Sequence, residues 1–270
     1  MLGQELAREF GENGYEVLAW DKEEIDITKK DSVLSKIKSV KPEIIINAAA
    51  YNAVDKIEEG EKELADAVNG YSVGNLSEAA EAVDALLIHY STDYVFEGMA
   101  IEGYREDARP NPQSIYADSK WLGEQQLKNS KYYLIRTSRL FGKPALSAKA
   151  KQSFVDVMLR LAGEKSEIEL VDEELSSPTY VVDLAKRTRV IFESGEPFGT
   201  YHVTNRGGCT WYGWAKKIFE LSGENIKLIP VAADKFPRLA KRPRYSLLLN
   251  TKLPLMRKWE DALADYLKTE

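Results

Sequence analysis

Tyr116-Ala-Asp-Ser-Lys120 places a phenol and an ammonium four residues apart, on one face of a helix. A nearby ammonium stabilises a tyrosinate and draws the phenol pKa down from about 10. Such a tyrosine can hand a proton to a carbonyl oxygen as hydride reaches the carbon. The spacing alone does not decide, because Tyr212-Gly-Trp-Ala-Lys216 shares it. Context separates the two. Upstream of Tyr116 the apolar run Leu86-Leu-Ile-His-Tyr90 leads into Ser91-Thr92-Asp93-Tyr94-Val95-Phe96. That puts hydroxyls and a carboxylate at the C-terminal end of a strand, where open parallel sheets bind ligands. Thr92 could polarise the same carbonyl oxygen; the alternative is that Ser91 and Thr92 cap a turn. Nothing comparable precedes Tyr212, and the cluster Trp211, Tyr212 and Trp214 reads as helix packing.

A further strand end is Ile44-Ile-Ile-Asn47-Ala48-Ala49-Ala50. Its three alanines leave room for a flat ligand against the backbone, or serve tight packing of a helix on the sheet. Asp21, Asp26, Ile27 and Thr28 follow the first visible strand, where an adenosine would sit. Asp21 favours a ribose hydroxyl and NAD, adjacent Lys22 a 2′-phosphate, so the cofactor stays open between NADH and NADPH. His89 and His202 lie in expected strands and read as structural, as does Cys209, which has no partner base in sequence. Glu58, Glu59, Glu61 and Glu63 read as a solvated helix start favoured by the macrodipole. Acidic clusters permit Mg²⁺, but a dedicated metal site is not favoured.

The elements that must position these groups alternate along the first half. Helical patterns at Leu2 to Phe10 (stopped by Gly11 and Gly14), Asp31 to Ser39, Glu61 to Ala82 and Asp118 to Leu127 alternate with apolar runs. Those runs are Glu16 to Trp20, Glu43 to Ile46, Leu86 to Tyr90 and Tyr132 to Thr137. Solid apolar strands separated by helices suit a parallel sheet covered on both faces. The expected fold class is α/β, a Rossmann-type doubly wound parallel sheet with a smaller C-terminal substrate lobe. Residues 1–142 are assigned to the dinucleotide-binding domain and 143–270 mainly to the lobe, interleaved with it. In the lobe, Lys143 to Lys151 reads as a loop, with helices at Phe154 to Ala162, Val181 to Glu193 and Trp211 to Ser222. Short strands are expected at Glu169 to Val171, Thr200 to Val203 and Lys227 to Pro230, and a basic connection at Lys235 to Arg244. A doubly wound domain normally opens on a strand and a glycine-rich turn. This sequence opens on a helix, so the first strand is expected to be missing.

The 270 residues carry a net charge of −6, which opposes general nucleic-acid binding. The apolar stretch Ile44 to Ala50 falls far short of the ~20 residues a membrane helix needs. Residues 1–14 lack a basic-then-apolar leader, and a cytoplasmic location is expected. One cysteine and two histidines oppose a disulfide framework and a zinc site.

Taken in order, several segments resemble the dTDP-4-dehydrorhamnose reductase family. They are Asn47-Ala-Ala-Ala-Tyr51, Ala53-Val54-Asp55-Lys56, Asn69, Tyr90 to Phe96, Tyr116 with Lys120 and Arg136-Thr-Ser138. Ser177-Pro-Thr-Tyr180, Tyr201-His202, Arg242-Pro243 and Ser246 continue the series. These are extended short-chain dehydrogenase/reductases that make dTDP-L-rhamnose with NADPH or NADH. The resemblance implies that Thr92, Tyr116 and Lys120 form the catalytic triad. It implies that Gly3, Asp26, Ile27, Ala48, Ala49, Ala50, Asn69 and Lys120 line the cofactor. Val54, Asp93, Val95, Arg139 and Arg242 would face the dTDP-sugar, and a homodimer is possible.

Departures from the family pattern are specific. Its opening strand and the first two glycines of Gly-x-x-Gly-x-x-Gly have no counterpart here; Gly3 matches the last glycine. Arg139 stands where tryptophan is usual, Glu174 for glutamine, Ser176 for glycine, Ser153 for asparagine and Asn52 for threonine. The expected reaction is reduction of the C4 ketone of dTDP-4-dehydro-L-rhamnose. Alternatives are a nucleotide-sugar epimerase, or a non-catalytic regulatory protein on the same fold, which the absent glycine turn and Arg139 favour. A dehydratase needs an acid after the Thr-Asp pair, and Tyr94 occupies that place.

Overall fold

The computed structural model describes residues 1–128, 131–144 and 152–268. Most of the expected loop Lys143 to Lys151 lies outside the described residues. The helices are α1 (Leu2–Glu12), α2 (Lys30–Val40), α3 (Val54–Glu58), α4 (Lys62–Ala65), α5 (Ser72–Ala82) and α6 (Ile115–Gln125). They continue with α7 (Phe154–Glu164), α8 (Val181–Glu193), α9 (Trp211–Ser222) and α10 (Trp259–Lys268). The strands are β1 (Ile44–Asn47), β2 (Leu86–Thr92), β3 (Tyr132–Thr137), β4 (Leu140–Phe141) and β5 (Glu167–Val171). After these come β6 (Thr179–Tyr180), β7 (Gly199–His202) and β8 (Lys227–Val231).

The main sheet runs β1-β2-β3-β7, every pair parallel. All seven residues of β2 are buried, as a strand covered on both faces requires. One face packs Leu86, Ile88 and Tyr90 of β2 against Leu2, Leu6 and Phe10 of α1 and Val181, Leu184 and Ile191 of α8. The other packs Ile45 and Leu87 against Val33 and Ile37 of α2 and Leu76, Ala79 and Ala80 of α5. The fold is thus a doubly wound α/β sheet. Its C-terminal strand ends gather on one edge, above the crossover helices.

The second half supplies a separate core. Phe141, Met158, Trp214, Ile218, Phe219, Trp259, Leu263 and Tyr266 pack together beside the parallel pairs β4–β6 and β5–β8. Trp214 is 1% exposed there, as the packing reading of that helix expects. Between these elements α8 and β7 return to the main sheet.

Three elements depart from expectation. Helix α1 passes through Gly11 to Glu12 and ends at Asn13, whose side-chain amide donates to the Glu9 carbonyl at 2.7 Å. Glu16 to Trp20 joins no ladder, and Leu18 is 51% exposed. A strand exists through its neighbour's hydrogen bonds, and β1 is paired only with β2 among the described residues. The long pattern Glu61 to Ala82 is not one α-helix: a π-helical turn at Asp66–Tyr71 separates α4 from α5. Such turns insert one residue and re-aim a side chain; here the side chain is Asn69.

Backbone contact at this turn makes Gly123 of α6 indispensable. A Cβ there would lie 2.1 Å from the Asn69 carbonyl oxygen. Gly123→Ala is expected to cost about 1–3 kcal/mol of unfolding free energy through overpacking. Gly163→Ala in α7, where a Cβ meets nothing within 4 Å, should instead stabilise by up to about 1 kcal/mol. Parallel denaturant titrations of the two variants check the contrast; equal stabilities would refute the close approach.

Candidate active site

Helix α6 begins where Ser114 caps it, its hydroxyl accepting from the Ala117 N–H at 3.3 Å. This start precedes the expected one at Asp118 and brings Tyr116 into the first turn. The helix lies along the C-terminal half of β2, and Lys120 donates to the Tyr90 carbonyl at 2.8 Å. Lys120 is 3% exposed, and burial lowers its ammonium pKa to about 8, with Glu124 opposing the shift.

Tyr116 is 9% exposed and packs with Ile57 and Ala65, flanked by Tyr51, Val54, Tyr94 and Ile115. Its hydroxyl donates to Asn52 Oδ1 at 3.4 Å. Burial holds the phenol well above its usual range, and the Thr92 hydroxyl and the Arg242 charge work against that. The expected depression by Lys120 is therefore not present: the ammonium is directed at the Tyr90 carbonyl, and dehydration of the ring dominates. Tyr116 carries its proton throughout the neutral range, as a proton donor must.

Thr92 ends β2 and does cap the turn Asp93–Val95, accepting from the Tyr94 N–H at 3.2 Å. The two readings of Thr92 coexist, because its hydroxyl also meets Tyr116. Thr92 donates to Asp93 Oδ1 at 3.1 Å, while Ser176 and Ser246 donate to Asp93 Oδ2 at 2.9 and 2.6 Å. Burial raises the Asp93 pKa and these three hydroxyls pull it back. Asp93, expected to face substrate, is 3% exposed with both oxygens occupied, and its contacts join the strand end to Ser176 and Ser246. Val95, also expected to face substrate, is fully buried with Phe96, Tyr104 and Leu248, and its carbonyl accepts the Asn111 N–H. An apolar side chain beside a tight turn has the core as its nearest dry surface.

Arg139 takes a left-handed backbone conformation (φ 43°) after β3. Its guanidinium donates to the carbonyls of Cys209 and Glu174, both at 2.7 Å, and lies 4.1 Å over the Trp211 ring. The Glu174 carboxylate accepts from Trp211 Nε1 at 2.9 Å and pairs with Arg238. Arg242 pairs with Asp55 at 2.8 Å. Both Arg139 and Arg242 act electrostatically on Tyr94, beside Tyr116. In sequence Trp211 reads as helix packing and Arg238 as part of a basic connection; no spacing links them to Glu174.

On the other side of the sheet end, a Cβ on Gly3 would lie 3.7 Å from Ala48 Cβ, so α1 nearly touches the end of β1. Ala49 and Ala50 are exposed. Helix α1 has no side-chain cap, leaving first-turn N–H groups suited to a phosphate. Asn69 is 1% exposed, with its amide donating to the Tyr51 carbonyl and Ser119 hydroxyl. Asp26 accepts from the Thr28 hydroxyl at 2.7 Å, and the Ile27 carbonyl accepts from Asn75. A small-residue floor and free N–H groups at a helix start fit the phosphates of a dinucleotide.

The two histidines and the cysteine are buried in the packing. His89 accepts from the Asn47 amide at Nδ1 and is held neutral by burial. His202 is driven to about 4 by burial and by Arg136. Burial pushes the Cys209 thiol up to about 12. No group of three or more His, Cys, Asp or Glu able to hold a metal occurs among the described residues. None of their helices is long and apolar enough to cross a membrane.

A doubly wound parallel sheet with a threonine closing β2 and a tyrosine and a lysine on the helix beside it has the arrangement of a short-chain dehydrogenase/reductase. The model of the RmlD substrate binding domain family matches residues 1–270. The spore coat polysaccharide biosynthesis protein SpsK of Bacillus subtilis (strain 168) is 36% identical over 99% of this chain and 93% of its own. dTDP-4-dehydrorhamnose reductase of Aggregatibacter actinomycetemcomitans is 38% identical over 93% of this chain and 88% of its own. The crystal structure of dTDP-4-dehydrorhamnose reductase from Bacillus anthracis str. Ames in complex with NADP superposes with a TM-score of 0.94 at 36% identity. That match covers 100% of this chain and 95% of the other. This chain belongs to the RmlD substrate binding domain family, and is a dTDP-4-dehydrorhamnose reductase-like oxidoreductase.

Proposed function

We propose that the chain reduces the C4 ketone of dTDP-4-dehydro-L-rhamnose to the alcohol of dTDP-L-rhamnose, with NADPH or NADH as reductant. The observation that carries the reading is the meeting of the Tyr116 and Thr92 hydroxyls at the end of β2, with Lys120 one helical turn along α6. The NADP complex of the Bacillus anthracis relative supports the cofactor class.

The bound dinucleotide supplies the hydride that reaches C4. Tyr116 gives its phenolic proton to the C4 oxygen, Thr92 orients that oxygen by a hydrogen bond, and the product is a secondary alcohol. Lys120 would hold the nicotinamide ribose from the end of β2, and the tyrosinate left behind takes its proton back from solvent. Gly3, Asp26, Ile27, Ala48, Ala49, Ala50 and Asn69 line the cofactor. Val54, Arg139 and Arg242 serve the nucleotide-sugar, the two guanidinia at its charged and acceptor-rich parts. The same reading places the chain in the cytoplasm with its substrate.

The test is loss of reduced-nicotinamide absorbance on adding dTDP-4-dehydro-L-rhamnose, with the product identified by mass. Ketone-dependent oxidation of NADPH or NADH is the expected result. Cofactor binding without such oxidation would move the assignment to the regulatory alternative.

A further inference from the structure

Asn52, Asp55 and Glu58 recur at every third position around α3. Asp55 and Glu58 share a face of this short helix, Asn52 precedes its N-cap Ala53, and each of the three reaches a different part of the site. Asn52 Oδ1 accepts from the Tyr116 hydroxyl at 3.4 Å. Asp55 accepts from the Ala240 N–H at 3.3 Å and from Arg242 Nη2 at 2.8 Å. Glu58 Oε1 accepts from the Ile115 N–H at 2.7 Å. Ile115 is the first residue of α6, and Tyr116 follows it. Glu58, which reads in sequence as a solvated acid, is partly buried and satisfies a first-turn donor that no helix carbonyl can reach. A carboxylate there is doubly favoured, by a charge-assisted hydrogen bond and by the helix dipole. Ser114 serves a different donor of the same turn, that of Ala117. Apolar packing reinforces the link, because Val54 and Ile57 of α3 lie in one cluster with Ile115 and Tyr116.

We propose that Glu58 and Asp55 are positioning residues, through which α3 holds the first turn of α6, and with it the Tyr116 phenol, in register with the segment bearing Arg242. The part of this that concerns turnover rests on the reductase reading above. Glu58 sets where the proton donor stands; Asp55 sets where α3 stands against Ala240 and Arg242. Substrate engaged by Arg242 is thereby read at Tyr116 through one short helix, with no direct contact between the two residues needed.

The test uses amide hydrogen exchange at Ile115 in the full chain, with β2 amides as the internal reference for global opening. Glu58→Ala is expected to raise Ile115 exchange about tenfold or more while β2 amides stay put. Glu58→Gln, which keeps an acceptor oxygen, should remain within about threefold of the parent. Asp55→Asn, remote from Ile115, should also raise exchange there by about threefold or more if α3 transmits the contact. Kinetically, Glu58→Ala should lower kcat about tenfold with KM within about twofold. Asp55→Asn should act chiefly on KM. Should Glu58→Ala fail to fold, Glu58→Asp, which withdraws the carboxylate by one methylene, gives the same exchange readout. Unchanged Ile115 exchange in Glu58→Ala (or in Glu58→Asp, where the alanine variant does not fold) or in Asp55→Asn overturns the proposal even in an active reductase. Altered exchange in a chain without ketone reduction would retain it and reject the reductase reading.

Discussion

Tyr116→Phe is expected to lower kcat by about a thousandfold, within the range a positioned general acid supplies, while cofactor affinity changes by less than about twofold. The ring keeps its packing against Ile57 and Ala65, so only the hydroxyl and its contacts to Thr92 and Asn52 are removed. Calorimetric titration with NADPH and NADH, beside steady-state turnover, separates the two quantities. Turnover near the parent level would sink the proton-donor assignment. The pH dependence has a definite sign. Lys120 is charged below about 8 and neutral above it, because burial lowers its pKa. Cofactor binding should therefore weaken as pH rises through about 8, in the parent and in Tyr116→Phe alike. Tyr116 itself, raised by burial, keeps its proton across that window.

Arg136→Leu is the substitution expected to harm stability most. Its guanidinium meets Glu124 at 2.6 Å, and the two side chains are 4% and 1% exposed. Further contacts run to the Glu106 carbonyl at 3.4 Å and to the Phe96 ring at 5.1 Å. Removing one partner strands the other charge in the interior, at a cost of about 3–5 kcal/mol. Against a typical total of about 5–15 kcal/mol, that is enough to unfold a marginal chain. Replacing both, as Arg136→Met with Glu124→Leu, should restore most of the loss, since neither charge is then left alone. Denaturant unfolding of the two single variants and the double variant measures this; a single-variant loss below about 1 kcal/mol would contradict the burial argument. Glu124 lies one turn beyond Lys120 on α6, so this ion pair also anchors the helix of Tyr116 and Lys120 to β3.

The elements legible in sequence are those whose signal is local. Solid apolar runs mark β1, β2 and β3, and the expected bounds of α8 and α9 agree with the structure to the residue. Glu16 to Trp20 shows the limit: its residues are strand-like, but pairing is a property of two segments. The π-helical turn was invisible for a related reason, since it is shaped by what Asn69 reaches in Tyr51 and Ser119. At the site, Thr92, Tyr116 and Lys120 stood out because their spacing carries chemistry. Glu58 did not, because an acid among acids resembles a solvated surface until its partner in α6 is known. The raised Tyr116 pKa was misjudged because spacing reports the ammonium but not how dry the ring is.

The hydroxyls on Asp93 have a temporal meaning. Ser176 and Ser246 reach it from 83 and 153 positions along the chain. Contacts that close such long loops carry a large entropic cost and form late. The sheet can assemble from neighbouring segments while the Asp93 carboxylate still waits for two of its donors. A refolding chain would then regain its helix signal before it regains a finished strand end at Thr92, and competence would arrive with the last docking step.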